Sequence, residues 1–451
     1  MRALVLVAAL AIAAPASADD AQYTPFPIGA RAVGLGGAFT ALSDDPSGMH
    51  YNPAGLVDSA RTSLQVSTNL YGLDLDVGKG IFSTVGQTAF SLDKVITELQ
   101  IIPTTAGFVV GFGDRNPDGG FRHAYAMGAF VPSLRSVNFQ TSEESNGTQN
   151  AYRRNVSDRT LAASAAYAYR ADEVWSVGVS GTVNYRSLHD QEETSLRVDG
   201  ADGPRFDTAA TSLDLAVATL AVTFGIKGFI TDEWTLGVSV TTPTSRVFDR
   251  ADVRVNRTFA DPSLSEATFD LRDESGLRAD TRVGTVLRAG LARAFADWKL
   301  ITFDFSFFAP TRYKLLEIPP DKRAVEESLT LVNDVVRHWV VNVAAGYEQP
   351  LGGDATFSVG VYTNLPSSPT IDQSSYDRDR LPHVTTIGGA FAFGFWGEHT
   401  QTNLGLTGSF GWGKDVIARN ETLHALGEDG FRTVEVRQLR VFLHLSSTFM
   451  Y

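Results

Sequence analysis

Apolar and polar residues alternate along much of the chain. Trp175, Val177, Val179, Val183 and Tyr185 are apolar, whereas Ser176, Ser180, Thr182, Asn184 and Arg186 between them are polar. Ile301, Phe303, Phe305 and Phe307 alternate with Thr302, Asp304 and Ser306. Trp339, Val341, Val343, Ala345 and Tyr347 do the same with His338, Asn342 and Glu348. Successive side chains on a strand point to opposite faces, so this period predicts strands with one greasy and one polar face. Taken in order, such segments predict about fourteen strands, over roughly 62–71, 105–113, 122–131, 158–170, 173–187, 212–230, 233–243, 281–296, 298–309, 335–349, 355–363, 384–396, 400–413 and 434–451.

The gaps between them fall into two kinds that alternate. "RADE", "TDEW", "ADWK", "QPLGGD", "WGEH" and "DRNPDGG" are short, whereas 188–211, 244–280, 310–334 and 414–433 are long and polar. A soluble β-sandwich has no reason to keep that rhythm. A transmembrane barrel keeps it, with tight turns at one rim, long loops at the other and an even number of strands. Closure also pairs every backbone group where no water is available. Tyr169, Trp175, Trp234, Trp298, Trp339, Tyr347, Trp396 and Trp412 lie near strand ends, where interfacial girdles need aromatics. The predicted fold is therefore all-β: a transmembrane antiparallel barrel of about fourteen strands.

The N-terminus agrees with export. Arg2 precedes the apolar run Ala3 to Ala14 and then "PASAD", which predicts a signal peptide over 1–18 cleaved after Ala18. The chain has no cysteine and a formal net charge of −13 with no basic block, which suits an oxidising compartment and argues against a nucleic-acid partner. The last strand, "VFLHLSSTFMY", ends on Tyr451 and resembles the C-terminal signal read by the barrel-assembly machinery of bacterial outer membranes. Outer-membrane lipid and lipopolysaccharide are the expected surroundings, and a monomer is the expected state.

Fourteen strands about 4.8 Å apart and tilted about 40° close a ring roughly 28 Å across, which side chains do not fill. The predicted inward residues are small, among them Ser164, Ala166, Gly178, Ser180, Gly237, Ser239, Gly388 and Ala390. Residues 19–61 are the one mature segment outside the predicted barrel (62–451) large enough to cork it. Their "GARAVGLGGAF" and "DDPSGMHYNPAGL" are rich in glycine and proline, which permit close packing and sharp corners.

At this point the sequence resembles the FadL/TodX family of outer-membrane transporters of long-chain fatty acids and other hydrophobic compounds. "GLGGAFTALSDDPSGMHYNPAGL" looks like that family's plug, with Gly34, Gly36 and Gly37 followed by the Asn-Pro-Ala triplet Asn52, Pro53 and Ala54. "IIPTTAGFVVGFGD", "AYAMGAFVP", "FITDEWTLGVSV" and "DRDRLPHVTTIGGAFAFG" resemble its strands, so the likeness covers nearly the whole mature chain. Two features depart from the pattern: Ser133 follows Pro132 where the family has glycine, and loops such as "HDQEETSLRVDGADGPRFD" are polar. The resemblance implies passive uptake of a hydrophobic small molecule, with no cofactor, no metal and no enzymatic step.

A fatty carboxylate wants a cation, and Arg186, Arg282 and Arg288 fall on predicted inward faces. The plainer reading pairs them with lumen acids such as Asp304. Asp44, Asp45 and His50 fit no calcium loop and lack a third firm ligand, so the Asp-Asp-Pro corner reads as a turn. "GLGG" is no dinucleotide loop, since Phe39 breaks the spacing and no strand precedes it. His444 and Ser446 suggest a hydrolase, but side chains two apart on a strand stand beyond hydrogen-bond reach. Exported barrels that act as secretion or surface-protein platforms carry similar plugs, so that role is the alternative. A helix-like segment at 321–339 would cover the outer face in either case.

Overall fold

The computed structural model describes residues 22–59, 62–78, 94–115, 120–145, 148–200, 203–262, 267–322, 333–371, 382–418 and 431–451. The predicted signal peptide lies outside them. Seven strands come first: β1 (Ser63–Gly78), β2 (Lys94–Arg115), β3 (Phe121–Ser145), β4 (Thr148–Arg170), β5 (Trp175–Gly200), β6 (Gly203–Phe229) and β7 (Trp234–Thr241). Two more, β8 (Ser245–Ala260) and β9 (Thr268–Ala279), precede β10 (Val286–Ala294) and β11 (Leu300–Phe308). Three short ones follow: β12 (Thr311–Lys314), β13 (Leu316–Glu317) and β14 (Asp334–Arg337). The last five are β15 (Val340–Gly352), β16 (Ala355–Asn364), β17 (His383–Trp396), β18 (Thr400–Ala418) and β19 (Phe431–Met450).

Fourteen of these close a ring. β1 to β7 pair in succession, β7 pairs β10, β11 pairs β15, and β15 to β19 return to β1, always antiparallel. The outer face is greasy: Met127, Phe224, Ile226, Phe303, Val361 and Ile387 are all exposed. Such a belt is sustained by lipid rather than water. Trp175 and Trp234 begin strands and Trp396 ends one at the tight-turn rim, while Trp339 stands at the other.

Beyond that other rim the predicted loops are largely more strand. β3 and β4 run on to Ser145 and Thr148, and β5 and β6 to Gly200 and Gly203. β8 turns back along the extension of β6, β9 pairs β8, and β13 pairs β9. Within this cap Leu213, Leu215, Val217, Ala251, Val253, Leu277, Tyr313 and Val335 form a buried apolar core. The prediction of polar loops at 188–211 and 244–280 therefore fails. Their outward positions carry charges such as Arg254 and Asp273, 2.9 Å apart, and these obscure a short apolar alternation. The helix expected over 321–339 fails at its C-terminal end, where Asp334–Arg337 is extended and pairs β12. Residues 323–332 of it lie outside the described residues.

Candidate functional site

Residues 22–59 fill the bore. They form two short helices, α1 (Ala30–Gly34) and α2 (Gly48–Tyr51), and a 3₁₀ turn over Pro53–Asp58. Asp45 Oδ1 accepts from Ser47 N at 2.7 Å and Ser47 Oγ at 2.5 Å, the turn read from the Asp-Asp-Pro corner. Asp44 pairs with Arg31 at 2.6 Å, so the two acids and His50 serve separate contacts. Gly36 holds φ at +64°, and a Cβ there would stand 2.8 Å from Val361 N on the wall.

Asn52 is the hinge of the plug. Its Nδ2 donates to Thr40 O and to Ile226 O on β6, each at 3.0 Å, and its Oδ1 accepts from Ala54 N at 3.2 Å. One short amide thus caps the 3₁₀ turn, folds the plug on itself and fastens it to the wall. Pro53, at the first position of that turn, has no N–H to leave unpaired. Asn52→Ala removes all three bonds and leaves buried carbonyls without donors. It is expected to weaken plug docking by about 2–4 kcal/mol, read as faster amide exchange over residues 37–58.

Polar wall residues reach the plug backbone on one side of the ring. Ser176 Oγ donates to Ala54 O (3.0 Å), Ser180 Oγ to Met49 O (2.9 Å) and Ser239 Oγ to Tyr51 O (2.6 Å). Lys227 Nζ donates to Leu42 O at 2.6 Å, and Arg170 pairs with Asp58. Asp304 Oδ2 accepts from Phe39 N (3.0 Å) and Thr40 N (2.8 Å). Asp304 therefore holds the plug rather than neutralising an arginine directly.

Above the plug, on the side of the cap, lies a cavity of about 210 Å³. Arg186, Arg282 and Arg288 all line it. Arg186 is spent on Asp158, with Nε–Oδ1 at 3.0 Å and Nη2–Oδ2 at 2.6 Å. Arg282 lies before β10 rather than on an inward strand face, since that strand starts at Val286, and its Nε donates to Asp280 Oδ2 at 2.7 Å. Arg288 differs. Its Nη2 donates to His50 Nε2 at 3.4 Å, and it has no carboxylate within ion-pair distance among the described residues. Burial and this guanidinium hold His50 well below the usual imidazole range, so it is neutral and able to accept.

The rest of the lining was not read from the sequence. Tyr23 stacks on Phe308 with ring centres 4.3 Å apart, and the Arg337 guanidinium lies 5.0 Å over Tyr23. Thr160, Thr182, Thr219, Thr223 and Thr241 put hydroxyl-bearing but small side chains on four neighbouring strands, and Thr223 and Thr241 satisfy one another at 2.9 Å. Their inward parity was legible, but their meeting on one cavity was not.

The cavity also touches a break in the wall. Phe130, Pro132 and Ser133 line it. Between Phe130 and Ser133 the β3–β4 register shifts, two residues of β3 bulging out against one of β4. Proline, lacking an N–H, is tolerated at such a bulge. Among the described residues the β2–β3 ladder stops at Thr105–Phe130, although both strands continue beyond it.

No protein-family model matches the sequence, and no curated protein is similar to it. Solved structures do match over nearly the whole chain. The Pseudomonas putida toluene transporter TodX is 12% identical with a TM-score of 0.59, covering 95% of this chain and 99% of that one. A Pseudomonas aeruginosa FadL homologue is also 12% identical, with a TM-score of 0.58 over 97% and 100%. The CymD monoaromatic hydrocarbon channel is 14% identical, with a TM-score of 0.55 over 94% and 98%. The chain thus has the plugged-barrel fold of the FadL/TodX-like channels, and these neighbours are transporters and channels rather than enzymes.

Proposed function

We propose that the protein sits in the bacterial outer membrane, as a monomer exported through its signal peptide, and takes up a hydrophobic small molecule passively. A long-chain fatty acid or a related apolar compound is the cargo class. The observation that carries this reading is a cavity seated on the plug and lined on one side by Phe130, Pro132 and Ser133, where the β2–β3 ladder ends. An apolar solute gains roughly 0.8 kcal/mol for each CH₂ it removes from water, so capture needs no energy source. From the cavity, the bulge at Pro132 offers a way sideways into lipid, which spares the cargo the aqueous periplasm.

Arg288 is the residue proposed to meet a carboxylate. It is buried, its side-chain hydrogen bond goes to a neutral imidazole, and Met49 and Phe130 nearby can hold a chain. Arg186 and Arg282 already have acids and act as wall structure. Titrating purified protein with a fluorescent fatty acid tests the reading, saturable binding being the expected result. Arg288→Gln is expected to weaken the acid by about tenfold or more, as befits loss of one charge-assisted hydrogen bond, while the matching fatty alcohol keeps its affinity. No saturable binding of any apolar ligand, with an extracellular protein co-purifying instead, would favour the platform role.

A further inference from the structure

One strand pair of the ring is joined by side chains instead of backbone over part of its height. β15 pairs β16 from Gly352–Ala355 up to Ala344–Tyr362, and there, among the described residues, the ladder stops. Each strand stays paired on its far side, β15 to β11 as far as Val340 and β16 to β17 as far as Asn364. The next backbone bond across the pair is His338 N to Ser367 O, which leaves a window roughly 15–20 Å long. Thr363 Oγ1 bridges its lower end, accepting from Val343 N at 3.0 Å and donating to Val343 O at 3.4 Å. Backbone groups facing lipid must be satisfied within the protein, and here one hydroxyl serves two of them. Higher up, Asn342 Oδ1 accepts from Leu365 N at 2.8 Å.

There is space on both faces of this window. On the lipid side lies a groove of about 540 Å³, walled by Leu291, Phe303, Phe305, Val343, Val361 and Ile387. On the inner side is a smaller cavity of about 50 Å³, lined by Thr24, His50, Tyr51 and Arg288 among others. Asp304, Val343, Ala344, Tyr362 and Thr363 line both, so a single layer of wall separates them. His50 and Arg288 also line the larger cavity above the plug, where a carboxylate is proposed to sit. Below the window the wall is sealed: the ladder is intact, and the plug's Gly36 lies close against Val361.

The leading residues of the plug straddle the window. Gln22 binds its β16–β17 side, donating to Thr386 Oγ1 at 2.7 Å, while Tyr23 stacks on Phe308 of β11 on the other. Thr24 reaches both edges: its N and Oγ1 donate to Asn364 Oδ1 at 3.4 and 3.5 Å, and Asn342 Nδ2 donates to its Oγ1 at 3.4 Å. Bonds of that length are weak. The plug is gripped more tightly elsewhere, as by Ser180 at 2.9 Å and Ser239 at 2.6 Å. We propose that the window is a side door latched by residues 22–24. When they let go, β15 and β16 part, and the hydrocarbon chain of the cargo passes from beside Arg288 into the outer groove and so into lipid. The groove's apolar walls suit such a chain and no charged group. The inference rests on the uptake of an apolar cargo, and it places an exit across the ring from the Pro132 bulge.

Because the chain has no cysteine, a reversible lock can be placed without background. Val343→Cys with Thr363→Cys, joined by the cleavable reagent 1,2-ethanediyl bismethanethiosulfonate, bolts the window from the lipid side. Tyr347→Cys with Val359→Cys, opposite one another in the intact ladder, is the control. The full-length protein is expressed in bacteria with no other outer-membrane fatty-acid channel, and uptake of radiolabelled oleate is measured before and after reduction with dithiothreitol. The window lock is expected to cut uptake at least about fivefold, with recovery on reduction, as for any gated exit. Oleate binding to the purified, locked protein should keep its Kd within about twofold. The control pair should change neither. Uptake unaltered by the window lock, or cut equally by the control, overturns the side door while leaving uptake itself standing. Absence of oleate binding to the unmodified protein overturns the uptake reading, and the door with it. Should the paired variant not assemble, Ala345→Trp, which fills the groove, is expected to give the same loss of uptake; unaltered uptake there overturns the door as well.

Discussion

Deletion of residues 22–59 is expected to leave a barrel that still assembles and conducts ions at least about tenfold better than the intact protein, because a bore roughly 28 Å across admits water freely once nothing fills it. The reason lies in how the two parts are held. The ring is closed by backbone ladders that involve no plug residue, from β1–β2 round to β1–β19. The plug is held by side chains reaching inward from Ser176, Ser180, Lys227, Ser239 and Asp304. Removing it strands those polar groups, but in a water-filled bore they are solvated and cost little. Single-channel recording in a planar bilayer reads the result. Conductance unchanged by the deletion would mean that something else closes the bore.

Gly360→Leu is expected to reach nearly the same end with the chain intact. A Cβ on Gly360 would lie 2.2 Å from Gly36 N and from Leu35 C, backbone atoms that cannot swing aside as a side chain can. Overpacking of an ordinary core costs about 1–3 kcal/mol; here the plug itself must move. Its barrel should migrate as folded while its conductance rises toward that of the deletion. Gly237→Leu should behave alike, because its Cβ would meet Thr40 O at 2.2 Å. Gly181→Leu is the control: nothing lies within 4 Å of its Cβ, and no change is expected. A plug still seated in Gly360→Leu, shown by unaltered conductance, would refute the close approach.

The same glycines show how much was legible beforehand. Gly178, Ser180, Gly237 and Ser239 stand out in the sequence as small residues at inward positions of strands too numerous to be filled by their own side chains. In the structure Gly178 faces Pro53 and Ala54, and Ser239 grips Tyr51 O. Size and parity sufficed to say that something else occupies the bore. They did not say which wall residue meets which plug residue, since those pairs lie far apart in the chain; Ser239 and Tyr51 are separated by 188 residues.

The site was less legible than the fold. Arg186, Arg282 and Arg288 read alike as inward cations, and all three do line one cavity. What distinguishes them is company: Asp158 for the first, Asp280 for the second, a neutral His50 for the third. Tyr23 and Arg337, which stack beside the cavity, lie far apart in the chain and carried no signal at all.

The sequence by itself determined the strand count of the ring, the alternation of tight turns with long connections, and the presence of a cork, because period two, turn chemistry and residue volume are local properties. Only the tertiary structure decided which cation has no carboxylate in direct contact, where the β2–β3 ladder ends near Pro132, and which wall side chains grip the plug. Those depend on strand stagger and on contacts across the bore, and no short stretch of chain encodes the distance between residues that meet only when the ring closes.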